Sequence, residues 1–452
     1  MKMYEQYKET GYKHIPIIPE HWKVKKHRSF LIEKKDVNSN DEGTLLSLSQ
    51  YTGVSVKTNT DKQGMFRAES LVGYRIVHPQ DIVMNIMLAW NGSTACSKFE
   101  GVISPAYAVF KVADNKIAPN YLHYLYRIPE MCGYFKAYST GIIDSRLRLY
   151  PEIFMQLYSV IPSRDEQDQI VRYLDWQVSK INHLIHGYQK QIKLLEERKF
   201  TILDQLVHNG ILASEFNEYD IEYIGKVPAH WHVLQNHRIF ESAKRKFEGM
   251  PTVLSLSQKD GLIPYSELNE RTLHTASYDN WQLVHENDLV LNRFKAHLGV
   301  FFASKYTGIV TFHYGVYKPK MPLLSKYYET LYHTQVYKRV YAGQSKGMTI
   351  GLQNLSDTDF YSVYTLYPPY DEQVAIVREI ESVEEKFLKI RAGIIKQIEL
   401  LKEYRTRLIS DVVTGQIDVR DVVIPEYTPE EDTEIDTDDD GEDMEEVAED
   451  AE

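Results

Sequence analysis

Apolar positions recur along residues 171–206 in alternating steps of three and four: Val171, Leu174, Val178, Ile181, Ile185, Tyr188, Ile192, Leu195, Ile202 and Leu206. Such spacing keeps one seam of a helix facing a partner, as in a coiled coil. Lys199 breaks the seam once. Adding 206 to each number (377 − 171 = 206) gives Val377, Ile380, Glu384, Phe387, Arg391, Ile394, Ile398, Leu401, Leu408 and Val412, the same phase with Glu384 and Arg391 at two seam positions and Arg405 at the place of Lys199. Asp165-Glu166-Gln167 opens the first series and Asp371-Glu372-Gln373 the second. Each series is longer than an ordinary globular helix, so the pattern predicts two long paired helices over residues 165–210 and 371–418.

The remaining sequence also repeats. Pro19-Glu20-His21-Trp22 returns as Pro228-Ala229-His230-Trp231, and Leu45-Leu46-Ser47-Leu48-Ser49-Gln50 as Val253-Leu254-Ser255-Leu256-Ser257-Gln258. The alternation in the latter predicts a strand. His78 to Val83 and His285 to Val290 predict a turn leading into a strand. The expected fold is α+β. Two globular α/β domains, 1–164 and 211–370, stand in tandem, separated by two long antiparallel helices, with pseudo-two-fold symmetry. Aligning the helix ends, Val171 beside Val412, brings Lys199 level with Glu384.

Composition changes this picture at one end. The net charge is −12, yet residues 426–452 hold 16 Asp and Glu and no Lys or Arg. Removing them leaves 52 basic and 48 acidic residues (64 − 16 = 48), a body of +4. A segment so acidic cannot bury enough apolar surface to fold, which predicts a disordered tail over 419–452. Two cysteines, Cys96 and Cys132, form no disulfide framework or zinc site. No apolar run reaches a membrane span and no signal-peptide core opens the chain, so a cytoplasmic location without membrane contact is expected.

Where the two copies differ, between the matched strands, recognition loops are expected. They carry residues that can bond base edges or phosphates. The candidates are Lys57, Arg67, Asn91, Lys98 and Arg146 in the first copy, with Gln50 at the end of the repeated strand motif. In the second they are Lys259, Arg271, Arg293, Lys295 and Lys346, with Gln258 at the matching end. Each alone is more often an ordinary surface residue, and the body is too weakly basic for charge to prove nucleic-acid binding.

The combination of these motifs resembles the specificity subunit of type I restriction–modification systems over residues 1 to about 420. The likeness rests on Ile18-Pro19-Glu20-His21-Trp22 and Val227-Pro228-Ala229-His230-Trp231. It rests also on Ile161-Pro162 before Asp165-Glu166-Gln167, and on Pro368-Pro369 before Asp371-Glu372-Gln373. The resemblance implies two target-recognition domains, helical spacers and a bipartite double-stranded DNA target. It implies two modification (methyltransferase) subunits and restriction/translocase subunits as partners. S-adenosylmethionine, ATP and Mg would sit on those partners, with no cofactor or metal in this chain. The acidic tail departs from the family pattern.

Catalytic motifs are not visible in the sequence. Tyr367-Pro368-Pro369-Tyr370 resembles an amino-methyltransferase motif, but Tyr at its first position lacks the carbonyl that accepts the target amino group; a turn feeding the second helix is expected. Gly347-Met348-Thr349-Ile350-Gly351 after Lys346 does not fit a P-loop, and no His-Glu-x-x-His pair exists. Two other readings remain at this stage: a self-sufficient methyltransferase or nuclease with a diffuse site, and a coiled-coil scaffold that binds no DNA.

Overall fold

The computed structural model describes residues 2–50, 52–57, 70–141, 147–211, 214–258, 261–267, 278, 280–345 and 354–429. The chain divides into two compact units that do not follow its sequence halves: Met1–Gln189 with Ile395–Glu452, and Lys190–Ile394. The two long helices, Arg164–Asn209 and Tyr370–Val413, are therefore shared. Each unit takes the start of one helix and the end of the other.

In the first unit a four-stranded antiparallel sheet has the order Leu31–Lys34, Tyr107–Val112, Ile82–Asn85, Thr94–Cys96. Ile82, Val83 and Met84 are wholly buried, and Val83 and Val109 pack with Leu46, Leu48, Val54 and Ile103. The expected strand is present as Leu46–Ser49. It forms a hairpin with Gly53–Val56, in which Gly53 has a positive φ of 79° that favours glycine. Helices Pro119–Leu125 and Pro129–Tyr138 both begin on a proline, whose missing N–H leaves no bond unmade there. Strand Tyr158–Ile161 pairs with Lys23–Lys26, so the segment before the first long helix returns to the start of the unit.

The second unit has the same sheet order: Phe240–Ser242, Tyr314–Pro319, Leu289–Asn292, Phe301–Ala303. Its hairpin is Leu254–Ser257 with Gly261–Pro264, and its closing pair is His232–Gln235 with Tyr364–Tyr367. The core differs in chemistry. Tyr317, Tyr327, Tyr332, Tyr337 and Tyr341 are fully buried, and their hydroxyls need partners. Tyr327 donates to the Val207 carbonyl (2.8 Å), Tyr332 to Asn236 (2.8 Å) and Tyr317 to Asp357 (2.8 Å). The Tyr-Pro-Pro-Tyr run is a turn: strand Tyr364–Tyr367 ends there and the second long helix starts at Tyr370.

The repeated motifs prove to be one structural device. Wholly buried Trp22 donates to Glu166 (3.0 Å), which also bonds His21 (2.9 Å) and Tyr4 (2.7 Å). The same indole lies 3.2 Å from the Cβ position of Gly415, where the second long helix ends at φ 77°. In the second unit Trp231 and His230 bond Glu372 (2.9 and 2.7 Å), and Gly210, at φ 67°, ends the first long helix against Trp231. Each tryptophan thus joins the first turn of one helix to the last turn of the other. The glutamines next to the glutamates hold the helices to the globular parts. Gln167 accepts from Ala118 N (2.8 Å) and donates to the Pro162 carbonyl (3.0 Å). Gln373 accepts from Leu324 N (3.0 Å) and donates to Pro368 (2.9 Å).

The helices run antiparallel within each unit, but in a different register from that expected by aligning their ends. Arg405 bonds Asn182 (2.6 Å) and Arg391 faces Glu196 (3.6 Å), so paired numbers sum to 587 (182 + 405; 196 + 391) rather than 583 (171 + 412). That is a shift of about one turn. Lys199 accordingly pairs with Glu196 (2.7 Å), and Glu384 with Lys326 (3.1 Å). The tryptophan junctions, rather than end alignment, set the register. Seam residues Val171, Leu174, Ile181, Val377, Ile380 and Ile398 are buried, whereas Ile192, Leu195, Ile394 and Leu401 are half-buried because a two-helix layer covers them on one side alone.

The expected disorder of 419–452 is corrected at its start: residues 419–429 are ordered. Val419 is 1% exposed, Gln169 donates to the carbonyls of Val419 (3.0 Å) and Val422 (2.8 Å), and Ser179 donates to that of Thr428 (3.2 Å). Val422 and Ile424 face the protein while Val423 faces out, the alternation of an extended strap. The apolar residues of this stretch, which precede the acidic run, supply the burial. Residues 430–452 lie outside the described residues.

One buried pair offers a test. His27 is fully buried, donating from Nδ1 to the Phe154 carbonyl (2.9 Å) and accepting at Nε2 from Ser159 (2.7 Å). Its repeat equivalent is Asn236 (27 + 209 = 236), also fully buried. Burial depresses the His27 pKa from 6.5 to about 3. Below pH 6.5 the unfolded chain therefore takes up a proton that the folded chain resists. Stability present above that pH falls with acidification by roughly 1.4 kcal/mol per pH unit. His27→Asn should reduce this acid sensitivity in the first unit. Urea unfolding midpoints at pH 7 and pH 5 check it; equal pH dependence in both proteins would reject the assignment.

Candidate nucleic-acid interface

The shared part of each repeat holds the scaffold. Asp81 and Asp288, both nearly fully buried, accept from the backbone N of His78 and His285 (2.8 Å each). They also pair with cations, Asp81 with Lys34 (2.7 Å) and Asp288 with Arg245. Those motifs are thereby committed to turn formation.

In the first unit several candidates gather around Arg127, which the sequence reading missed. Arg127 donates to the Gln50 carbonyl (2.6 Å) and to His123 Nε2 (2.8 Å). Asn91 is exposed at the end of a short helical turn, Ala89–Asn91. The Cβ position of the next residue, Gly92, is 3.9 Å from the Arg127 carbonyl. Exposed Lys98 is close enough to His123 to act on its charge. Burial, then Arg127, then Lys98 hold that imidazole well below its ordinary pKa, so it is neutral. Lys57 is exposed too, but at the opposite end of the hairpin, where its N–H bonds Leu45 (2.9 Å).

The second unit has a cleft of about 280 Å³ at the corresponding place, lined by Gln258, Gly299, Glu329, His333, Lys338 and Glu384 among others. Repeat equivalence places Gln258 for Gln50, Gly299 for Gly92, Glu329 for His123, His333 for Arg127 and Lys338 for Cys132. The glutamine and the glycine are kept, while the other three side chains are exchanged. Burial lowers the His333 pKa to about 4, so it is neutral near pH 7, and burial also lowers that of Lys338. Burial opposes the charge on Lys326, but Glu329 and Glu384 outweigh it and raise its pKa.

Other candidates are placed differently. Arg293 is half-buried and pairs with Asp357, while its carbonyl accepts from Leu355 N (3.0 Å); it is engaged within the unit. Lys295 is half-buried at the start of the turn Ala296–Leu298. Arg67, Arg146, Lys259, Arg271 and Lys346 lie outside the described residues. The residues missed, His123, Arg127, His333 and Lys338, sit on or beside helices whose solvent faces carry no periodic signal. The repeat offset would have found them by mapping one cluster onto the other. Among the described residues no group of three or more His, Cys, Asp or Glu is arranged to hold a metal, and no helix is long and apolar enough to cross a membrane.

No protein-family model matches the chain, and no curated protein matches it. Among solved structures it is similar to a chain from work on complex assembly and conformational transition of the type I R-M system. The TM-score is 0.62 at 12% identity, covering 88% of this chain and 99% of that one. It is also similar to the HsdS subunit from Thermoanaerobacter tengcongensis (TM-score 0.46, 12% identity, 90% and 100% covered). A third likeness is to the type I restriction–modification S subunit from M. genitalium (TM-score 0.31, 11% identity, 86% and 96% covered). The first of these likenesses shows the fold.

Proposed function

We propose that this chain is the DNA-specificity subunit of a type I restriction–modification complex. Its two globular parts each read one half of a bipartite double-stranded target, and partner subunits carry out methylation and cleavage. The observation that supports this best is the exchange of side chains at one retained backbone site, beside a glutamine kept in both copies (Gln50, Gln258): His123, Arg127 and Cys132 against Glu329, His333 and Lys338. A catalytic site keeps its reacting groups, whereas a reader of two different sequences varies its donors and acceptors on a shared frame. Gln can bond adenine edges and Arg or Lys guanine edges or phosphates.

Partners are supported by the long helices. Outside the seam, Leu184 (51% exposed) and Leu400 (48%) in the first unit remain open, as do Leu194 (54%) and Leu388 (69%) in the second. Apolar residues held in water on a helix face suit association with another protein. The assignment is two modification subunits and restriction/translocase subunits, with S-adenosylmethionine, ATP and Mg bound there, and a cytoplasmic location beside DNA.

The test is methylation mapping of genomic DNA in cells with and without the chain, coupled to assays of the purified chain. A bipartite methylated motif that depends on the chain is expected, with no methyl transfer or cleavage by the chain alone. A motif that persists without the chain, or turnover by the pure chain, would overturn the assignment.

A further inference from the structure

Five aromatic rings gather at one end of the sheet in the second unit. Phe312 and His313 lie in the turn between strands Gly308–Val310 and Tyr314–Pro319, closed by Tyr314 N donating to the Thr311 carbonyl (3.1 Å). Strand pairing brings two other segments to the same end. Asn292 lies opposite Tyr314, so Phe294 leaves its strand beside this turn. Gln282 lies opposite Val310 and donates to the Tyr314 carbonyl (2.9 Å), so Trp281 arrives there too. The rings meet. His313 is 4.0 Å from Phe312 and 5.9 Å from Phe294 between centroids, and Trp281 is 5.0 Å from Tyr278. Phe312 is nevertheless 55% exposed, and Phe294 and Tyr278 are 39% exposed each. Asn292 fixes the foot of the Phe294 loop by accepting from Phe294 N (3.1 Å) and Lys295 N (3.2 Å). The same loop runs on to Leu298 and Gly299 in the wall of the cleft.

The repeat narrows what covers these rings. At the equivalent positions, 207 earlier (314 − 107 = 207), the first unit has Leu71, Tyr74, Met87, Pro105 and Ala106. One aromatic of five is kept there, so the scaffold does not require them. Two like modification subunits would meet like surfaces on the two units. What differs between the units, on the reading above, is the DNA half-site that each meets. Charge agrees: exposed Lys244 and Lys246 flank Arg245, whose carbonyl accepts from Leu283 N (3.3 Å) beside Trp281. Rings backed by rings and flanked by cations suit the flat faces of nucleobases joined by phosphates. We propose that Phe312, backed by His313 and Phe294, is a stacking platform for a base opened from the duplex at one half-site. The inference rests on the DNA-binding reading and adds to it a contact that reads no base edge. A methyltransferase must take its target base out of the stack, which leaves a neighbouring base with an uncovered face. An aromatic side chain set against that face recovers the lost stacking.

The experiment uses the full chain and duplexes that carry the motif found by methylation mapping. One duplex is fully paired. In the others a single unpaired 5-iodouracil stands at successive positions across both half-sites. At a position in one half-site the chain should bind roughly tenfold more tightly than it binds the paired duplex. Irradiation couples 5-iodouracil to an aromatic ring stacked on it, and mass spectrometry should locate that link at Phe312 or His313. Phe312→Ala, a change on the surface, should abolish the preference and the link with its thermal midpoint unchanged, and Phe312→Trp should keep both. Equal affinity for paired and unpaired duplexes, or a preference that Phe312→Ala leaves unchanged, would overturn the proposal and leave the DNA reading intact. Loss of the modification subunits from Phe312→Ala, with its preference unchanged, would make the rings a protein-docking surface and overturn the proposal likewise. Failure to bind any of the duplexes would overturn the DNA reading, and the platform with it.

Discussion

Exchanging residues 232–367 for the corresponding segment of another chain of this fold should change one half of the methylated motif and leave the other half as it was. The junctions follow from the pairing of His232–Gln235 with Tyr364–Tyr367, in which His232 lies opposite Tyr367, so both cut ends are neighbours across one strand pair. Trp231, Gly210 and Glu372 stay native, and with them the tryptophan junction to both long helices. The first unit contributes none of the exchanged residues. Its cluster at Gln50 and Arg127 is untouched, so its half-site persists. Replacement of a whole set of base contacts, each good pair of which discriminates by about 1–3 kcal/mol, is enough to abolish the old half-site. Methylation mapping reads the result. Change in both halves, or in neither, would show that the units do not read independently.

Trp22→Ala should be the most damaging single substitution in the first unit. The side chain is wholly buried, and truncating a buried tryptophan costs about 3–5 kcal/mol. It also removes one of the donors to Glu166, a carboxylate 4% exposed. For a unit of this size that corresponds to a loss of about 10 °C in thermal midpoint. The contact with Gly415 goes as well, so the second helix loses its final anchor along with the first helix its initial one. Calorimetry should resolve the first unit melting ahead of the second, and Trp231→Ala should reverse that order. A midpoint unchanged in either variant would show that the junction is not what holds the helices.

Much of the scaffold was legible in the sequence because period-specific patterns encode it. The alternation in Leu46–Ser49 became a hairpin strand, the three–four steps became long helices, and His78 to Asp81 became a turn closed by its own aspartate. The features that could not be read depend on residues far apart. The helix register is set by Trp22 and Trp231, over 140 positions from the glutamates they meet. Arg293, a plausible base reader by type, is engaged by Asp357, 64 residues away. Arg127 belongs to the candidate interface because a hairpin and a helix converge on it, and no spacing along the chain announces that. The acidic run hid the strap before it, since charge dominated the reading of the whole terminus.

The discontinuity of the first unit has a consequence for synthesis. The second unit is one uninterrupted stretch, Lys190–Ile394, and holds all its own contacts once that stretch has been made. The first unit waits for Gly415 to meet Trp22, for Asp418 N to bond the Lys2 carbonyl (2.9 Å), and for Lys2 to pair with Asp421 (2.7 Å). From Gln189 to Asp421 is 232 residues (421 − 189 = 232). At about 5–20 residues per second, the ribosome adds them in roughly 10–50 s. The unit translated first is therefore the unit that should become protease-resistant last, a sequence of events that limited digestion of ribosome-arrested chains would display. Throughout that interval the surface around Trp22 that will seat the second helix faces water, making the nascent first unit the natural client of a chaperone.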